Sequence, residues 1–259
     1  LLLATLIMFL IIMILITYIR KEIIVFSNKG IGNASQILAI PLFYIVAKII
    51  LKQANNSVMS INQILRIQSF KILKFYGLGI SLCLLILALS LLIGFVLKVT
   101  YFLNIDLDYS VLMTLLIMLF IGFSEELFFR GIVQQLLSVI FKNQIASVII
   151  TSLVFSLFHT QIFVEAGGWE FFINAFVFGI FMSLVFIRYE SIMPCILIHS
   201  AWNFSDTYLL EFGEIGCLIE SNNNFLLNQT STYLSIVLYS ILSIVFIINL
   251  IKFPPTSLR

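Results

Sequence analysis

The chain has 259 residues, 61% of them hydrophobic and 10% charged, with a formal net charge of +2 and a mean hydropathy of +1.16. A soluble domain of this size could not hide so much apolar surface, and disordered, collagen-like and coiled-coil chains are poorer in apolar residues or richer in charge. The small net charge, without a basic stripe, excludes a nucleic-acid partner, which leaves a polytopic helical membrane protein in a lipid bilayer.

Residues 1–19 are apolar and end at Arg20-Lys21. They lack the basic start and the small-residue cleavage site of a removed signal peptide, so a retained first membrane helix is expected. Residues 37–51 form a shorter apolar run with Pro41 and Lys48, which either spans or, as would keep the positive-inside alternation, is re-entrant or interfacial. Further runs follow at 75–97, 109–123, 145–158, 171–187 and 233–251. The run 109–123 continues through 124–141 with Glu125, Glu126 and Arg130, and 192–205 is apolar apart from His199 and Asn203. The expected fold is an all-α polytopic membrane protein of about seven to eight transmembrane helices. Its parts are an N-terminal region 1–74 with a basic stretch, a membrane-embedded core 75–251, and a short tail 252–259.

The basic stretch 20–74, Lys142, Arg188 and Lys252 are assigned to the inside by the positive-inside rule. The loops 98–108, 160–170 and 206–232, which carry acidic residues, are then outside. Three cysteines, Cys83, Cys195 and Cys217, imply no disulfide framework.

Ionisable residues in membrane helices are costly and signal function. They fall in three clusters here: Glu125 to Arg130, Phe155 to His159, and His199 to Asn203, and both histidines of the chain are among them. Glu125 lies 17 residues before Lys142, His159 17 after it, and His199 and Asn203 lie 11 and 15 after Arg188. At 1.5 Å per residue, all four sit roughly 16–26 Å from the inside surface and can converge. Glu126 and Arg130 are one turn apart and can pair, which leaves Glu125 to face a cavity. The i,i+4 spacing also brings the Phe155 ring beside His159, and lets His199 and Asn203 aim donors at one point, as an oxyanion site requires. A structural ion pair, packing histidines and a proton-relay transporter are the competing readings. Cys195, one turn before His199, and Ser124 and Ser200 read better as packing or back-bonded residues than as nucleophiles.

The motifs EELFFR at 125–130, FSLFH at 155–159 and HSAWN at 199–203, complete and in order, resemble the intramembrane glutamate proteases grouped with the CAAX prenyl endopeptidases, the CPBP or Abi family. The resemblance covers about 109–205. It implies a helical bundle enclosing an intramembrane catalytic cavity, with Glu125 and His159 activating a water and His199 and Asn203 stabilising the oxyanion. Glu126, Arg130 and Phe155 would support them. It also implies a hydrophobic or lipidated peptide substrate. The Ile-, Phe-, Asn- and Lys-rich chain suits a bacterial plasma-membrane member, where relatives are linked to peptide processing and to bacteriocin self-immunity. No tightly bound metal is expected; a zinc ion, if present, would take Glu125, His159 and His199. A peptide-binding immunity protein without proteolysis and a proton-coupled transporter remain the alternatives.

Overall fold

The computed structural model describes residues 72–99, 101–103, 110–159, 168–209, 219–221 and 224–254, with the isolated positions 45, 49 and 65. The readings of 1–19, 37–51 and most of the basic stretch lie outside these residues. Within them the chain forms six helical rods and one short ribbon. The rods are α1 (Ile72–Val96), a long rod made of α2 (Ser110–Phe128), a π-helical segment (Phe129–Gln134) and α3 (Gln135–Phe141), then α4 (Gln144–Phe158), α5 (Gly168–Tyr189), α6 (Met193–Leu209) and α7 (Asn224–Lys252). They coincide with the six apolar runs read between residues 75 and 251. Four stretches are long and apolar enough to cross a membrane: Leu73–Val96, Val111–Phe141, Gly168–Tyr189 and Gln229–Lys252. The shorter α4 and α6 carry the two histidines, His159 at the C-cap of α4 and His199 within α6.

The exception to the all-α expectation is a ribbon in which β1 (Tyr101–Leu103) pairs antiparallel with β2 (Ile219–Ser221), Phe102 opposite Glu220. Its strands belong to the two loops placed outside by charge. Such pairing requires both loops on one side, and it satisfies backbone groups that a bare loop would leave to the solvent.

The rods close into a ring. α6 packs between α1 and α2; α7 joins α1 to α5; α4 lies on α5 and closes against the π-helical segment and α3. The turns are tight. Lys142 adopts a left-handed conformation (φ 49°), and the Asn143 side chain then caps α4 by accepting from the Ile145 and Ala146 amides. Glu190 (φ 49°) makes the corresponding turn before α6.

Close approach comes from two glycines. A Cβ on Gly79 would lie 2.6 Å from the Ile198 carbonyl oxygen and 2.7 Å from the Ala201 Cβ, so α1 touches α6 backbone to backbone. A Cβ on Gly179 would lie 3.0 Å from the Ser152 Cβ, which brings α5 onto α4. Without a hydrophobic driving force between helices in lipid, such contacts supply van der Waals cohesion. Gly77, two residues from Gly79, has open space around it. Gly79→Ala is therefore expected to cost about 1–3 kcal/mol through overpacking, whereas Gly77→Ala gains up to about 1 kcal/mol of helix propensity. Unfolding of the two purified variants in micelles checks this; equal effects would contradict the packing.

Candidate active site

The three polar clusters converge at one level inside the ring. Glu125 and Glu126 stand on the last turn of α2, Arg130 in the π-helical segment, His159 at the C-cap of α4 and His199 on α6. The widened π turn follows directly on the two glutamates. Gly131 lies within it, and the Gln135 side-chain amide donates to its carbonyl at 2.6 Å.

Glu126 and Arg130 pair as their spacing required. The guanidinium donates to Glu126 Oε1 at 2.9 Å, with both side chains fully buried. Its second nitrogen donates to the Gly179 carbonyl on α5 at 3.1 Å, and its flat face covers the Phe155 ring on α4 at 4.8 Å. The same Glu126 oxygen also takes His199 Nδ1 at 2.7 Å, a contact the sequence reading did not contain. A carboxylate oxygen that pairs with a guanidinium acts as acceptor, so His199 carries its proton on Nδ1 and turns Nε2 inward. His159 is fixed in the same sense: Nδ1 lies 2.8 Å from the Phe155 carbonyl, which can only accept.

Both free Nε2 atoms face Glu125. Its Oε2 lies 3.9 Å from His159 Nε2 and 3.8 Å from His199 Nε2. These distances are too long for direct hydrogen bonds and suit one bridging water. Glu125 is 30% exposed and His159 28%, against 3% for His199, so the group opens on the side of Glu125 and His159 and ends at His199. Aromatic rings wall it: Phe155 lies 4.4 Å from the His159 ring and Phe178 lies 5.1 Å from that of His199, centroid to centroid. Phe178 was not singled out from the sequence, where it is one phenylalanine among 26.

Asn203 sits one turn beyond His199 on α6, half-buried. By its i,i+4 spacing it stands on the same side of the helix as His199. Cys195 is buried and donates to the Met182 carbonyl at 3.4 Å, and Ser124 and Ser200 bond back to the carbonyls of Ile121 and Ile196. None of the three is set up as a nucleophile. Tetrahedral zinc brings its ligands to about 3.3 Å from one another. The present separations are wider, and among the described residues no three His, Cys, Asp or Glu side chains are arranged to hold a metal ion.

Removing one partner of a buried ion pair strands the other. Arg130→Met is expected to destabilise by about 3–5 kcal/mol. The double variant Glu126→Leu/Arg130→Met should regain part of that loss and not all, because the His199 Nδ1–H is left unpaired at about 1–3 kcal/mol. Equilibrium unfolding in mixed micelles measures both.

Residues 107–205 match the family profile described as type II CAAX prenyl endopeptidase Rce1-like. The matched stretch runs from just before α2 to α6 and holds every residue of the converging group. No curated protein matches the chain. Over residues 107–205 the chain carries a domain of the Rce1-like family of type II CAAX prenyl endopeptidases.

Proposed function

We propose that this protein is a multi-pass membrane endopeptidase in which Glu125 activates a water for peptide-bond hydrolysis. The observation that carries the reading is the placement of Glu125 Oε2 within 3.9 Å of two histidine Nε2 atoms whose Nδ1 atoms are both engaged. A water between Glu125 and His159 gives its proton to Glu125 as its oxygen attacks the scissile carbonyl carbon. The carbonyl oxygen becomes an oxyanion, which accepts from the Asn203 amide and from His199. His199 donates from Nε2 only as an imidazolium, since Nδ1 is committed to Glu126; the Glu126 carboxylate stabilises that cation. The tetrahedral intermediate collapses when Glu125 passes its proton to the leaving nitrogen, which breaks the C–N bond and closes the proton balance. Arg130 anchors the Glu126 carboxylate, and Phe155 shields the pair and supports His159.

The site sits in an apolar ring open at Glu125 and His159, which supports a hydrophobic or lipidated peptide segment as substrate. Residues 75–251 would form one membrane-embedded core, with the N-terminal runs completing seven to eight spans in a bacterial plasma membrane. Glu125→Gln keeps the shape and removes the base, so hydrolysis is expected to fall by about 10²–10⁴-fold. Asn203→Ala is expected to lower it by about 10²–10³-fold. Mass spectrometry of peptide termini in membranes carrying wild type or Glu125→Gln at matched expression provides the readout. Termini present only with wild type support the protease. Identical termini, with any immunity to a bacteriocin retained in the variant, would point to peptide binding without cleavage.

A further inference from the structure

One turn inward of Arg130, three helices bring together polar groups that have no use in the chemistry above. Arg130 and Gln134 share a stripe on the long rod. Arg130 meets Gly179 on α5, and one turn further the Gln134 amide donates to the Ser183 carbonyl at 3.3 Å. On α4, which runs the opposite way, Phe155 lies under Arg130 and Thr151 stands one turn back on the same helical face. Gln134, Thr151 and Ser183 are at most 1% exposed. Among the described residues, Gln134 Oε1, Thr151 Oγ1, Ser183 Oγ and the Arg130 Nε have no hydrogen-bond partner.

Most helical serines here bond back to their own helix, as Ser152 does to Val148 and Ser240 to Ile236, whereas Ser183 and Ser243 do not. Ser183 cannot do so freely, because the carbonyl one turn back, on Gly179, already accepts from Arg130. The amide of Gln134 cannot be turned round either, since the Ser183 carbonyl accepts only its N–H. Buried polar groups in such numbers are satisfied by ordered water, which typically makes about three hydrogen bonds. The chemistry selects the ligand. Gln134 Oε1 requires a donor, which excludes an anion, and the adjacent guanidinium repels a cation. Water both donates and accepts.

We infer that Gln134, Thr151 and Ser183 form an internal water site, holding one or two waters that also reach the Arg130 Nε–H. Such waters complete the solvation of the buried Glu126–Arg130 pair from the side away from the substrate. This assignment stands on buried, unpartnered atoms and is independent of whether the protein hydrolyses peptides.

The test is a double-mutant cycle on the full chain purified in detergent, using the near-isosteric Thr151→Val and the small Ser183→Ala. Each single variant is expected to lower Tm by about 2–4 °C. The double variant is expected to lose clearly less than the sum, because both substitutions forfeit the same water. If the layer is dry, each substitution removes an unsatisfied polar atom and Tm stays level or rises. A level or raised Tm in either single variant, or additive losses in the double, overturns the proposal.

Discussion

The buried pair of Glu126 and Arg130 is the constraint on which the rest of the centre depends. One carboxylate oxygen receives both the guanidinium, from the following helical turn, and His199, from a segment 73 residues away. The guanidinium adds the Gly179 carbonyl of α5 and the ring of Phe155 on α4. Four rods of the ring are thereby tied to two side chains. Desolvating two charges offsets much of their attraction, so an ion pair in this position contributes little net stability. What it supplies is orientation: with Nδ1 of His199 engaged, Nε2 points at Glu125.

Fold and site meet through small residues. Gly79 lets α1 seat on the backbone of α6 at the turn that carries His199, and Gly179 both admits α4 and offers its carbonyl to Arg130. The π-helical segment directly after the glutamates carries Arg130 and Gln134 toward α5. Such segments are common at functional sites. Glu125 thus keeps an open side while its neighbour, one residue on, is fully buried.

Much of this was legible beforehand, for identifiable reasons. Apolar runs report helices directly, because a bilayer tolerates no other use of them, and the basic residues at run ends set the alternation. Depth counting from Lys142 and Arg188 was enough to bring Glu125, His159 and His199 to one level. The i,i+4 rule located the Glu126–Arg130 pair and the contact of Phe155 with His159. Azimuth was not legible. Periodicity says which residues share a face, not which neighbouring helix that face meets, so the bond from His199 to Glu126 and the packing of Phe178 could not be foreseen. The π-helical segment keeps an α-like apolar pattern and leaves no local signature beyond Gly131. The pairing of Tyr101–Leu103 with Ile219–Ser221 joins two short loop segments, each too brief to carry a strand pattern.

The central claim, that buried acceptors fix both imidazoles with Nε2 toward Glu125, is open to direct measurement. The protein has two histidines, so ¹⁵N-histidine labelling yields two rings, assigned by His159→Gln. At alkaline pH each ring is predicted to show the Nδ1–H tautomer with an unprotonated Nε2. An Nε2–H tautomer at His199 would mean that Glu126 does not orient it, and would contradict the account.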